Sequence, residues 1–168
     1  MNSFFIGIAG GSGAGKTKLA QELKKHFGRK AKILHIDKYQ RFGEKLPKLC
    51  GMENWDCPQV IKWNELYKDL ISLKKEKRII IAEGYLLFYK SSIRRLLDFL
   101  IFLTASDKTR VRRRTKFKNS GYIQKVLLPM HKKYIEPTKK FADLILNTEK
   151  YSIKHCSQEI IQHLPKKF

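Results

Sequence analysis

Cysteine is scarce in this chain, with Cys50, Cys57 and Cys156 as its three thiols. An odd count with no CxxC pair argues against a disulfide framework and against a thiolate zinc site, so these read as ordinary cysteines. Acidic residues are also few. Fifteen Asp and Glu face thirty-six Lys and Arg, a formal net charge of +21. Such a surface attracts polyanions, whether nucleotides, nucleic acid or anionic membrane. The lysines are spread along the chain, as in Lys24-Lys25, Lys74-Lys75 and Lys132-Lys133, which fits a solvated surface better than a dedicated patch. Only Arg110, Arg112, Arg113 and Arg114 form a local cluster. No apolar run is long enough to span a bilayer. Met1-Asn2-Ser3-Phe4-Phe5 lacks the basic start and apolar stretch of a signal peptide, so a cytoplasmic location is expected. Internal repeats and low-complexity linkers are missing too. At 168 residues and 42% hydrophobic, the chain suits one domain over 1–168 with a real core.

Strands and helices alternate in the hydrophobic pattern. Phe4–Ala9 reads as a buried strand ending in glycines, and Lys16–Phe27 as a helix with Leu19, Ala20, Leu23 and Phe27 on one face and Gly28 as its stop. Further strands are expected at 31–36, 78–82, 98–103 and 144–146. Helices are expected at 63–73, from a Ser106 cap to about Lys118, at 122–134 despite Pro129, and at 153–164. Residues 38–60 hold Gly43, Pro47, Gly51 and Pro58 and read as loop with a short helix. Strands alternating with helices imply an α/β protein with a parallel sheet covered on both faces.

Gly10-Gly11-Ser12-Gly13-Ala14-Gly15-Lys16-Thr17 matches GxxxxGK[ST] in full, between a strand and a helix as that motif requires. Its glycines let the backbone curl round phosphates with N–H groups pointing inward, and the helix N-terminus adds partial positive charge. Gly11 through Thr17 are therefore the expected nucleotide cradle, with Lys16 on the β- and γ-phosphates and the Thr17 hydroxyl on Mg²⁺. ATP and Mg²⁺ follow as cofactors. No NKxD-type signature is present, which argues against a GTPase, and the chain is short for a motor or transporter ATPase.

Two carboxylates end expected strands. Asp37 follows the second strand, where open parallel sheets place their ligands. It can accept a hydroxyl proton or hold the metal shell, or simply cap the next loop. Glu83 ends the isoleucine strand, the Walker-B arrangement that aligns Mg²⁺ or its water, and Gly84 beside it permits close approach. Asn54-Trp55-Asp56 falls between them. A ring beside an acid suits a nucleoside, by stacking on a base and accepting from ribose hydroxyls. Composition alone favours a tryptophan that anchors the loop to the core.

These segments together resemble the uridine kinase family of P-loop kinases. The resemblance runs in order through Ile6–Thr17, His35-Ile36-Asp37-Lys38-Tyr39, Asn54-Trp55-Asp56-Cys57-Pro58, Ala82–Tyr89, Phe102 to Arg114 and Glu136–Ile145. It implies the three-layer P-loop NTPase fold with a parallel five-stranded sheet and a helical lid over about 106–121. It further implies ATP-dependent phosphorylation of the 5′-hydroxyl of a small ribonucleoside, uridine or cytidine first. In the roles so implied, Asp37 is the general base, and Thr17, Asp37 and Glu83 surround Mg²⁺. Tyr39, Trp55, Asp56 and Glu83 border the substrate, and Arg110, Arg113 and Arg114 act with Lys16 on the phosphates.

Two departures stand out. Phe117 occupies a place where the family's lid carries an arginine, with Lys116 or Lys118 as stand-ins. Residues 63–77 also leave no room for the hairpin with which uridine kinases read the pyrimidine. Gly121-Tyr122 and Pro129-Met130-His131-Lys132-Lys133-Tyr134 resemble the related nicotinamide riboside kinases, which makes nicotinamide riboside the alternative substrate. A nucleic-acid-binding P-loop protein is the reading of another class. The charge supports it, and the lack of a recognised RNA or DNA module opposes it.

Overall fold

The computed structural model describes residues 3–114 and 120–165. Its elements run β1 (Phe4–Gly10), α1 (Lys16–Phe27), β2 (Ala31–His35), β3 (Lys48–Leu49), β4 (Met52–Glu53), α2 (Trp63–Leu73), β5 (Ile79–Glu83), α3 (Ser91–Arg94), β6 (Phe99–Thr104) and α4 (Asp107–Arg114). Residues 120–135 form one irregular helical rod. Its α-helical turns α5 (Ser120–Tyr122) and α6 (Leu128–Met130) alternate with wider π turns at Ile123–Leu127 and His131–Ile135. Pro129 lies inside the rod and has no N–H to donate, a setting in which widened turns are a usual accommodation. β7 (Leu144–Asn147) and α7 (Ile153–His163) follow.

Five parallel strands make one sheet in the order β2-β5-β1-β6-β7, with Ile6 of β1 in register with Ile81 on one side and Phe99 on the other. The side-chain period of two, with both faces covered, explains why the inner strands β1, β5 and β6 are almost wholly apolar. Phe5, Ile80 and Phe102 point into a core shared with α2, α3 and the rod. Their neighbours Ile6, Ile81, Ile101 and Leu103 point into a second core with α1 and α7. The central strands β1 and β5 are covered on both faces, while the edge strands β2 and β7 are partly exposed, at Lys32 and Ile145. The P-loop NTPase architecture expected from the motif order is thus present. No helix among the described residues is long and apolar enough to cross a membrane, and all three cysteines are free thiols.

Several boundaries differ from the sequence reading. β5 and β6 each begin and end one residue later, so Glu83 is the last strand residue rather than a residue beyond it. α3 went unforeseen because four residues are too few to show a helical period. The segment 38–60 contains a tiny antiparallel hairpin, β3–β4, with two residues per strand. It lies upstream of Asp56 and carries neither Tyr nor His, so it is not the base-reading hairpin whose absence from 63–77 was inferred. Those residues are α2 followed by a 3-10 turn at Lys74–Glu76. The expected cap of α4 is present, with the Ser106 hydroxyl accepting from the Thr109 N–H at 3.3 Å. Residues 115–119 of the expected lid, Lys116, Phe117 and Lys118 among them, lie outside the described residues.

Phe102 is 1% exposed and fills the core on the α2 side, in register with Ala9 of β1. Phe102→Ala is expected to lower the unfolding free energy by about 3–5 kcal/mol through lost burial and a residual cavity. Urea denaturation followed by circular dichroism measures it, and a loss under about 1 kcal/mol would mean that this core collapses readily around the gap.

Candidate functional site

β1 delivers the phosphate loop to the centre of the sheet, and α1 begins at Lys16 with its free N–H groups aimed at the strand ends. That placement suits an anion. Lys16 is buried, and its Nζ donates to the Gly11 carbonyl at 3.0 Å, which lays the side chain back across the loop. Burial lowers its pKa, while the charges of Glu83 and Asp37 oppose that shift. The Thr17 hydroxyl donates to Glu83 Oε1 at 3.1 Å.

Glu83 is 5% exposed. His35 ends β2 directly opposite it in register, and His35 Nδ1 stands 2.6 Å from the same Oε1. Asp37 sits on the 3-10 turn Ile36–Tyr39 that follows β2. Burial raises its pKa first of all, Glu83 adds to the rise and Lys16 opposes it. A Cβ on Gly84 would lie 2.1 Å from Ile36 Cγ1, so the strand ends bearing Asp37 and Glu83 approach this closely only because residue 84 is glycine. Among the described residues no three His, Cys, Asp or Glu side chains gather into a metal cage. Magnesium needs none, since it is typically held by one or two carboxylates together with phosphates and water. The oxygen donors of Thr17, Asp37 and Glu83 fit it.

A second wall faces these groups. Trp55 and Asp56 line the same cleft, with Phe42 tilted against Trp55 at 5.5 Å between ring centroids. Two tyrosine hydroxyls pin the Trp55 backbone. Tyr122 accepts from its N–H at 3.1 Å, and Tyr85 donates to its carbonyl at 2.6 Å. Tyr122 also donates to Asp56 Oδ2 at 2.7 Å, and Gln40 donates to Tyr85 at 3.0 Å. Trp55 therefore both packs against the core and borders the cleft. Tyr39 was expected at the substrate, yet its hydroxyl bonds Asp69 of α2 at 2.6 Å and the residue does not line the cleft.

The arginines divide. Arg113 and Arg114 line the cleft, as does Arg112, and the charge of Arg114 bears on both Lys16 and Asp37. Arg113 donates to the Gly13 carbonyl at 3.2 Å and to the hydroxyl and carbonyl of Thr148, each at 3.0 Å. Arg110, grouped with them on sequence, is 2% exposed and lies behind the loop. There it pairs with Asp107 at 2.6 Å and reaches the Ser12 carbonyl at 3.4 Å. Positions 110, 113 and 114 share one face of α4, so the split comes from their partners: Arg110 is drawn to Asp107 and the Ser12 carbonyl, Arg113 to Gly13 and Thr148. His131, from the rod, shares that buried space.

The cleft encloses about 1320 Å³ and runs from Trp55 past Lys16 to Tyr151 and Ile153. That exceeds the roughly 300–1,000 Å³ typical of one small-molecule site and leaves room for two ligands side by side. Sequence reading gave no role to Gln40, Tyr85 or Thr148. Tyr122 and His35 were noticed only as members of motifs. Thr148 is a hub, donating to the Ala14 carbonyl at 3.0 Å while it accepts from Arg113. A single threonine in a polar loop carries no sequence signal of this.

Comparison with known proteins follows the same outline. Residues 5–79 match the model of the "Phosphoribulokinase / Uridine kinase family". The chain is 30% identical to a uridine kinase of Chlamydia pneumoniae, over 98% of this chain and 91% of that protein. It is 31% identical to a uridine kinase of Clostridium perfringens strain SM101, over 84% and 86% respectively. A solved shikimate kinase from Acinetobacter baumannii superimposes with a TM-score of 0.65 at 18% identity, over 94% of this chain and 90% of that one. At that identity the likeness concerns the fold.

Burial, followed by the charge of Arg110, lowers the His131 pKa from 6.5 to about 4. Between those values the unfolded chain takes up a proton that the folded chain refuses, so stability falls as pH drops through the window. The loss is expected to be on the order of 3 kcal/mol. Urea midpoints at pH 7.5 and 4.5 test it against His131→Gln, in which this part of the pH dependence disappears.

Proposed function

Because this chain belongs to the phosphoribulokinase/uridine kinase family, we propose that it transfers the γ-phosphoryl group of ATP to the 5′-hydroxyl of a small ribonucleoside, uridine or cytidine first. The chain is a phosphotransferase with an alcohol group as acceptor. One observation carries the finer reading. The phosphate loop with Lys16 and Thr17, the carboxylates Asp37 and Glu83, and the Trp55–Asp56 wall all line a single cleft. The whole chain acts on this reading as one P-loop kinase domain with its lid at about 106–121, and a cytoplasmic location goes with it.

In the proposed step the Asp37 carboxylate takes the proton from the acceptor hydroxyl. The hydroxyl oxygen bonds the γ-phosphorus as the bond from that phosphorus to the bridging oxygen of ADP breaks. Charge spreads over the transferred group in this loose transition state, so catalysis rests on positioning and on fixed positive charge. Lys16, Arg113 and Arg114 supply that charge, and the α1 N-terminus supports it. Magnesium, held through Thr17, Asp37 and Glu83, would neutralise phosphate oxygens when bound. Burial makes Asp37 a stronger base than an exposed carboxylate. Trp55 and Phe42 offer stacking surface for a base, and Asp56 offers a carboxylate to the ribose diol, shared with the Tyr122 hydroxyl.

Release of ADP, followed by a coupled assay over uridine, cytidine, nicotinamide riboside, pantothenate and simple sugars, tests the assignment. Turnover confined to non-nucleosides would overturn it. Stacking without polar readout discriminates weakly. Uridine and cytidine should therefore have similar kcat/KM, and a preference above about 10³ for one of them would require polar contacts to the base.

Asp37→Asn is expected to lower kcat by roughly 10²-fold or more, with KM for ATP little changed. Near-normal kcat would move the base role elsewhere. Asp56→Ala should raise KM for ribonucleosides more than for their 2′-deoxy analogues. Tyr122→Phe is the control, since it removes the hydroxyl bond to Asp56 and leaves the carboxylate in place. Equal losses on both sugars in Asp56→Ala would mark Asp56 as a structural brace for Trp55.

A further inference from the structure

Arg110 and His131 meet on the outer side of the phosphate loop. A Cβ placed on Gly11 would lie 2.3 Å from Arg110 Nη1 and 2.9 Å from His131 Cε1. Both side chains thus press on the Gly11 backbone from behind, and only glycine leaves them room. Arg110 is anchored to α4 through Asp107 and to the loop through the Ser12 carbonyl. His131 is anchored to the turn Glu136–Phe141, with its Nε2 at 3.2 Å from Glu136 Oε2.

The groups that face His131 are Arg110 and Asp107 from α4 and Glu136 from the following turn. Burial and the guanidinium keep the imidazole neutral at neutral pH. Nε2, beside a carboxylate, then carries the proton, and Nδ1 is a bare acceptor. That Nδ1 is buried without a hydrogen-bond partner, and so is Arg110 Nε, a donor. One cluster against the loop therefore holds a complementary buried donor and acceptor. A protonated His131 would instead set a second positive charge beside Arg110.

We propose that His131 is a positioning residue for phosphoryl transfer: as a neutral imidazole it holds Arg110 against the back of the loop and thereby sets the Gly11–Ser12 peptide for the donor phosphates. This rests on the reading of the loop as the ATP cradle. The effect belongs to the nucleotide side of the reaction, although the rod that carries His131 also carries Tyr122 of the acceptor wall. It is transmitted through Arg110, so the two residues are energetically coupled.

Calorimetric binding of Mg·ADP to the full chain at pH 7.5 tests this, with melting temperatures and KM values for ATP and nucleoside measured alongside. His131→Phe is expected to weaken Mg·ADP and raise KM for ATP by about tenfold, while KM for the nucleoside stays within about twofold. His131→Asn, which keeps an acceptor near the Nδ1 position, should recover most of the affinity, and it decides the matter if the Phe variant does not fold. Combined with Arg110→Lys, His131→Phe should weaken binding no further than the worse single variant, because coupled residues are not additive. Wild-type affinity with a lowered melting temperature would overturn the proposal, and so would additive losses in the double variant. A wild-type chain that fails to bind Mg·ADP would instead sink the cradle reading itself, before any variant is compared.

Discussion

One carboxylate oxygen, Glu83 Oε1, receives the Thr17 hydroxyl and stands beside the His35 ring nitrogen. The site depends on that junction. It joins the first residues of α1 to the ends of β2 and β5, and those are the elements that carry Lys16, Thr17, Asp37 and Glu83. A carboxylate this buried is costly unless it is hydrogen-bonded. The fold meets that requirement with the groups it needs at the phosphate loop. Parallel pairing makes the arrangement possible, because it brings every strand's C-terminal end to one side of the molecule.

The acceptor wall is organised differently. Trp55 and Asp56 belong to an irregular segment with no strand to hold them, and the Tyr85 and Tyr122 hydroxyls do that work through the Trp55 peptide groups. Tyr122 sits on the rod, and Tyr85 sits just after Glu83. The wall is therefore tied both to the end of β5 and to the rod.

Charge acts at two ranges. A net +21 raises the local concentration of anionic nucleotides without choosing among them. At short range what counts is the cations that line the cleft, among the described residues Lys16, Lys18, Arg112, Arg113 and Arg114. Arg110 shows the limit of counting charges by proximity in sequence. It belongs to the same basic run as Arg113 and Arg114, yet it is turned inward and paired with Asp107.

The GxxxxGK[ST] loop, the five strands and their order in the chain, the long helices and the two strand-end carboxylates were legible in the sequence, because each rests on a local rule: a glycine spacing, an apolar run, a helical period. Tertiary structure alone decided what depends on contacts between distant segments. Thr148 reaches Ala14 across 134 positions and Arg113 across 35. The pinning of Trp55 joins residues 30 and 67 positions apart. Tyr39 and Arg110 left the positions expected of them because each is itself buried and found a carboxylate, Asp69 or Asp107, whose pull no motif records. A linear pattern specifies which residues can do the chemistry. Which of them face the cleft is settled by packing, since a buried polar group must find its partner wherever the fold brings one within reach.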